Sequence, residues 1–201
     1  MEQKEIIELY KVNEKQVIEL DNYVQILEEY NKHTNLVGKS TLINPWTSHI
    51  LDSLQLLTYI KNRRLSVLDM GTGAGIPGVI LSIMGCSDIT LVDSNGKKIR
   101  FLNFLKNNMN LNIKIWQRRV EEINNAKFDI ITSRALKNLN QLISYSQKFL
   151  KKNSVVIFLK GKTVNDEIYE AKKNWSFQTN KYQSLSDPRG YVLELKNIKK
   201  A

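Results

Sequence analysis

Hydrophobic positions along the chain follow two regimes that change near Leu65. Before it, apolar residues recur every three or four positions. Ile6, Leu9 and Tyr10 begin one stripe; Val17, Leu20, Val24, Leu27 and Tyr30 form a second. This spacing predicts two amphipathic helices. Asn31–Ser40, rich in Asn, His, Thr, Gly and Ser, reads as a loop. Pro45 can open a third helix after Asn44, with Trp46, Ile50, Leu54 and Leu57 along one side. From Leu65 onward, short apolar runs alternate with helix-like segments. The runs are Ser66–Met70, Ile89–Asp93, Ile113–Gln117, Phe128–Thr132 and Ser154–Leu159; the helical segments are Pro77–Met84, Lys97–Asn108, Asn138–Leu150 and Asn165–Lys173. Continuous apolar runs suit parallel strands covered on both faces. Phe177–Leu185 and Tyr191–Lys196 flank the turn signal Asp187-Pro188-Arg189-Gly190 and read as an antiparallel pair. The expected organisation is an N-terminal helical extension, residues 1–60, packed on an α/β domain, residues 61–201. Tyr23, Tyr30, Trp46 and Tyr59 fall on the apolar helical faces or their edges and are expected in the core.

Composition narrows the class. A chain of 201 residues with 42% hydrophobic residues can bury one full core. No apolar run reaches bilayer length, and the N-terminal MEQKEIIELYKVNEK is acidic and lacks a signal-peptide core, so a cytoplasmic protein without membrane contact is expected. Cys86 is the only cysteine, which excludes a disulfide framework and a cysteine zinc site. His33 and His49 are too few to build a metal centre, and none is expected. His49 stands one helical turn from Asp52 and is read as a structural residue.

Charge is uneven. The first 60 residues carry five lysines against nine carboxylates, a balance of −4, although the whole chain carries +10. The α/β part is therefore strongly basic, as a polyanion-binding surface would be, or as a lysine-rich solvated surface would be. Lys97, Lys98, Arg100, Arg118, Arg119, Lys160, Lys162 and Arg189 are candidates for phosphate contacts.

The richest segment is Val67–Gly78, VLDMGTGAGIPG. An apolar strand ends near Asp69, and glycines follow at Gly71, Gly73, Gly75 and Gly78, just ahead of a helix. Strand, glycine turn and helix N-terminus together let backbone approach a nucleotide-like ligand. Gly73-Ala-Gly75-Ile-Pro-Gly78 also satisfies the G-x-G-x-x-G of dinucleotide folds, and Asp93 stands where a ribose-binding acid belongs. Asp69 before Gly71 extends the pattern to D-x-G-x-G-x-G, that of Rossmann-like S-adenosylmethionine-dependent methyltransferases. That cofactor has an adenosine, an amino-acid group and a sulfonium but no phosphate. Asp93 can accept both ribose hydroxyls, with Ser94 beside it. Asp69 can either attract the cofactor ammonium or cap the turn. A nicotinamide-dependent oxidoreductase and a non-catalytic RNA-binding module are the competing functions. The first lacks an obvious catalytic His or Tyr–Lys pair.

Seven segments together carry a closer resemblance: NLVG at Asn35–Gly38, HILDSL at His49–Leu54, DMGTGAGIPG at Asp69–Gly78, LVDSNGKKIRFL at Leu91–Leu102, RVEE at Arg119–Glu122, FDIITSRAL at Phe128–Leu136 and FLKGK at Phe158–Lys162. In these the chain resembles the RsmG (GidB) methyltransferases of bacteria, which methylate N7 of a guanine in 16S ribosomal RNA. Asn95, in place of a small apolar residue, and a shorter tail after Trp175 depart from that pattern. The resemblance implies a class I methyltransferase fold: a mostly parallel seven-stranded sheet with helices on both faces. It implies S-adenosylmethionine as cofactor, and 16S rRNA or a 30S assembly particle as substrate; a monomer is expected. It places Gly71 and Ile76 along the methionine and adenine sides of the cofactor, Val120 and Glu121 beside the adenine, and Arg134 facing cofactor and substrate. Asp69, Gly73, Gly75, Asp93 and Ser94 complete the expected cofactor set. Guanine N7 has a free lone pair and no proton at neutral pH, so no catalytic acid or base is assigned; positioning carries the reaction.

Overall fold

The computed structural model describes all 201 residues. Seven strands form one sheet in the order β3-β2-β1-β4-β5-β7-β6. They are β1 Ser66–Met70, β2 Asp88–Asp93, β3 Ile113–Gln117, β4 Phe128–Arg134, β5 Leu150–Lys160, β6 Trp175–Gln183 and β7 Tyr191–Lys200. β1 to β5 run parallel, with α4 Gly78–Ile83, α5 Gly96–Asn108 and α6 Leu139–Gln147 in the crossovers after β1, β2 and β4. α7 Val164–Lys172 leads into β6, and β7 returns antiparallel between β5 and β6. The chain reverses its direction of winding between β1 and β4, so a crevice opens at the carboxyl ends of those strands. The inserted antiparallel β7 distinguishes this sheet from the 3-2-1-4-5-6 order of dinucleotide folds.

The N-terminal part supplies α1 Gln3–Tyr10 and α2 Glu14–Thr34. Asn13 and Gln16 close a capping box at the start of α2. A helical stretch follows that opens as a π-turn over Trp46–Leu51, passes through α3 Asp52–Leu54 and tightens into a 3₁₀ turn over Gln55–Thr58. Leu20, Tyr23, Leu27 and Leu54 share a continuous buried core with Val79, Ile80 and Leu102 on one sheet face. Phe128, Leu142, Phe149 and Phe158 fill the other.

Several expected boundaries move. α2 runs three residues past Asn31 into the expected loop, and Lys39–Leu42 forms a 3₁₀ turn. β4 continues to Arg134, and α6 stops at Gln147, so Leu150 begins a strand instead of ending a helix. Asn95 has a local reason to be polar. Its side chain accepts from the backbone N–H groups of Lys97 and Lys98 and caps α5.

Candidate active site

The glycine loop is built from below by two carboxylates. Asp69 is fully buried; its Oδ2 accepts from the Thr72 hydroxyl at 2.6 Å and the Gly78 N–H at 2.9 Å. Burial raises its pKa to about 6, and those two hydrogen bonds only partly oppose the shift. The folded carboxyl is thus a weaker acid than the unfolded one. Asp69 therefore favours the folded state increasingly as pH falls through about 6 towards 4, and its charge is a net cost at neutral pH. Asp93 ends β2 and ties the loop from the side. Oδ2 accepts from the Gly73 N–H at 3.0 Å, Oδ1 accepts from the Asn95 N–H at 2.9 Å, and Lys98 Nζ stands 3.7 Å away. A carboxylate has about four acceptor positions, so Asp93 keeps capacity for further donors. From above, the buried Tyr23 hydroxyl of α2 donates to the Ala74 carbonyl at 2.9 Å.

The loop opens onto a cavity of about 780 Å³, within the range of small-molecule sites. Gly71 and Gly73 both line it with positive φ, +66° and +61°. A Cβ at Gly71 would come within 2.6 Å of Leu136 Cδ1, so only glycine lets Leu136 settle there. One side of the cavity is formed by Ile76, Asp93, Ser94, Val120 and Glu121, with Lys98, Arg118 and Arg119 on its basic part. The other side comes from Leu36–Gly38, Thr41, His49, Arg134–Lys137 and Tyr145. Asn31 shapes the N-terminal turn. Its Oδ1 accepts from the N–H groups of Leu36 and Val37, and its Nδ2 donates to the Val37 carbonyl.

Arg134 lies between the sheet and the helical extension. Its Nη1 donates to the Ser48 carbonyl at 3.0 Å and to Asp52 Oδ2 at 3.1 Å. Both terminal nitrogens stand 3.3 Å from His49 Nδ1. The π-turn puts His49 and Asp52 on one side, where Arg134 bridges them. Asp52 Oδ1 in turn accepts from Ser186 Oγ at 2.6 Å and from Gln55 Nε2 at 3.0 Å, which ties the β6–β7 turn to the site. His49 is buried; desolvation first, and then the Arg134 charge, hold its pKa down at about 3.

Most of the expected cofactor residues converge on this cavity: Gly71, Gly73, Ile76, Asp93, Ser94, Val120, Glu121 and Arg134 all line it. Two do not. Asp69 lies beneath the loop and orders it, since both its hydrogen bonds go to protein. Gly75 is buried against Val79 and Leu102, where it allows close helix packing. Among the basic candidates, Arg119 lines the cavity, while Lys97, Arg100 and Arg189 are exposed outside it. Lys160 needs correction. Only 8% of its side chain is exposed, and its ammonium is held by Glu167 at 2.6 Å and by the Lys137 carbonyl at 3.0 Å. It braces the segment after Arg134 and is closed to phosphate. Tyr23, Thr41, Leu136 and Tyr145 were not read from the sequence as site residues. Leu136 closes the FDIITSRAL segment, but the roles of all four arise from distant partners.

A cradle of this kind fits S-adenosylmethionine. Two glycines leave room at the loop surface, and a carboxylate with free acceptor capacity closes the end of β2. Solved structures with the same architecture include a ribosomal protein L11 methylase from Lactobacillus delbrueckii subsp. bulgaricus (TM-score 0.60, 20% identity, covering 73% of this chain and 76% of that one). Another is the Pyrococcus horikoshii TYW2 in complex with MeSAdo (TM-score 0.59, 13% identity, 75% and 62%). At those identities the likeness is one of fold. Sequence relatives go further. The "Ribosomal RNA small subunit methyltransferase G" proteins of Rhodospirillum rubrum and Rickettsia prowazekii are 36% and 37% identical over 190 residues. The alignments cover 94% of this chain in each case, and 94% and 98% of the relatives. The sequence profile of GidB, rRNA small subunit methyltransferase G, matches residues 16–195, and with it the cradle, the Arg134 centre and the turn at Leu36–Gly38: this chain belongs to that family.

Proposed function

We propose that the protein transfers a methyl group from S-adenosylmethionine to N7 of a guanine in small-subunit ribosomal RNA. It acts as a cytoplasmic monomer on 16S rRNA or a 30S assembly particle. The observation that carries this reading is the cavity where Gly71, Gly73 and Asp93 meet Arg134 under the N-terminal turn. Family membership sets the nicotinamide alternative aside. No helix of the chain is long and apolar enough to cross a membrane.

When bound, the cofactor supplies an electrophilic methyl on a positively charged sulfur. Asp93 would accept the ribose hydroxyls, and the backbone at Gly71 and Gly73 would lie along the methionine part. Val120 and Glu121 would frame the adenine. The N-terminal turn and Arg134–Lys137 would hold the guanine so that N7 faces the methyl. Such an arrangement supplies orientation. It needs no proton acceptor: the His49 ring nitrogen nearest the site is engaged with Arg134, and Asp69 is sealed below the loop.

The expected product is 7-methylguanosine, detected by mass spectrometry of nucleosides from rRNA treated with the protein. A different methylated nucleoside overturns the proposal. With both substrates saturating, the rate should change by no more than a few fold between about pH 6.5 and 8.5, because no essential group titrates there. A log-linear rise across that window would reveal a base and contradict the mechanism.

Two basic residues should behave oppositely. Arg119→Ala should weaken RNA binding across sequences and reduce the salt slope by about 1. Lys160→Met should leave the salt slope unchanged and lower stability by about 3 kcal/mol, as breaking a buried ion pair does. Filter binding across a salt series and thermal unfolding check both.

A further inference from the structure

Two constraints fix the state of His49. Arg134 can only donate, so His49 Nδ1, 3.3 Å from both terminal guanidinium nitrogens, accepts from it; the Ser48 carbonyl, which also approaches the ring and favours an N–H there, is already occupied by Arg134 Nη1 at 3.0 Å. Thr41 Oγ1 already donates to the Gly38 carbonyl at 2.7 Å, so toward His49 Nε2, 3.0 Å away, it can only accept. Nε2 therefore carries the proton. The same tautomer satisfies both neighbours, and a second proton would set an N–H against the guanidinium. Arg134 from β4, Asp52 from the same helical stretch and Thr41 from the N-terminal turn are the polar side chains facing the ring.

We propose that His49 is a positioning residue for Arg134, acting as a neutral acceptor that joins the two walls of the cavity. Its Nδ1 orients the guanidinium, and its Nε2–H holds Thr41, whose hydroxyl anchors Gly38 in the turn that lines the cavity. Asp52 offsets the arginine's charge, while His49 sets its plane without adding charge. Nη1 is fully engaged on the helical side. Nε–H and an outer N–H of Nη2 have no protein partner, so they are the groups available for cofactor or RNA. Chains of this kind strengthen their members. The role rests on the methyltransferase reading only through the assay that reports it.

Isosteric variants separate the two nitrogens. Asparagine offers an oxygen near the position of Nδ1; glutamine offers an amide near Nε2. His49→Gln and His49→Phe should lower kcat/KM for methyl transfer about ten- to a hundredfold, as small misplacements at a site do. His49→Asn should recover most of that loss. In an Arg134→Ala background the three variants should be alike, since the oriented group is gone. If the three fall together in both backgrounds, His49 serves packing alone and the proposal fails. A direct measurement does not depend on activity or on any variant folding. With only two histidines, ¹⁵N-labelled protein should show one ring with Nε2 protonated and Nδ1 bare at all values from about pH 5 to 8. A protonated Nδ1 on the His49 ring, or titration of that ring in this window, overturns the assignment.

Discussion

Replacing Asp93 by alanine should weaken binding of S-adenosylhomocysteine by about two to three orders of magnitude. The carboxylate makes two charge-assisted hydrogen bonds to the backbone, to the N–H groups of Gly73 and Asn95. Such bonds contribute about 1.5–3 kcal/mol each. Without them the glycine loop loses its lateral tie, and, on the proposed reading, the ribose hydroxyls lose their acceptor. The two losses fall on the same binding event. Asp93→Asn should be almost as damaging, because its amide keeps one acceptor oxygen and turns an N–H₂ toward a second backbone donor. Titration calorimetry with S-adenosylhomocysteine measures the effect directly. Circular dichroism at the same temperature shows whether the sheet is retained. An affinity within a few fold of the parent would mean that Asp93 only shapes the loop and that the ribose is held elsewhere.

The place of Asp93 beside the glycine loop was legible in the sequence because everything that defines it is local: an apolar run, a carboxylate at its end, and a glycine turn 20 residues earlier. The sheet was legible for the same reason. Parallel strands buried on both faces are nearly continuous in apolar residues, and β1 and β3 match their expected bounds. What escaped depends on distant partners. Asn31 looks like a helix breaker, yet α2 continues to Thr34 because the Asn31 side chain serves the turn beyond the helix. The end of α6 is hidden by Phe149 and Leu150, apolar residues that read as helix; Phe149 lies in the turn after α6, and Leu150 begins β5, where it pairs with Phe128. Lys160 resembles any other lysine in a basic chain; only Glu167 and the Lys137 carbonyl reveal that it is internal. His49 escaped most completely. Nothing near it in sequence shows that its ring will meet Arg134, 85 residues later.

The glycine loop also makes the largest stability prediction. Gly75→Ala should lower the unfolding free energy by roughly 2–5 kcal/mol, from two independent sources. Gly75 has φ +85°, a left-handed conformation that costs an L-residue about 1–2 kcal/mol. Its new Cβ would stand 2.4 Å from Val79 Cγ2 and 3.1 Å from Leu102 Cδ2, and overpacking a filled core costs about 1–3 kcal/mol. Val79 cannot turn away easily, because a β-branched side chain in a helix has essentially one rotamer. For a chain of this size the combined loss corresponds to a drop in Tm of roughly 5–15 °C. Two other glycines separate the sources. Gly85 has φ +93° with nothing within 4 Å of the added Cβ, so Gly85→Ala should show the conformational part alone, about 1 kcal/mol. Gly161 has neither a left-handed backbone nor a neighbour within 4 Å, so Gly161→Ala should leave Tm unchanged. Thermal unfolding of the three variants should rank Gly75→Ala far below Gly85→Ala, and Gly85→Ala below Gly161→Ala. If Gly75→Ala matched Gly85→Ala, the helix after the loop would have room to shift. The tight seat that Asp69, Val79 and Leu102 give the cofactor loop would then be looser than the packing requires.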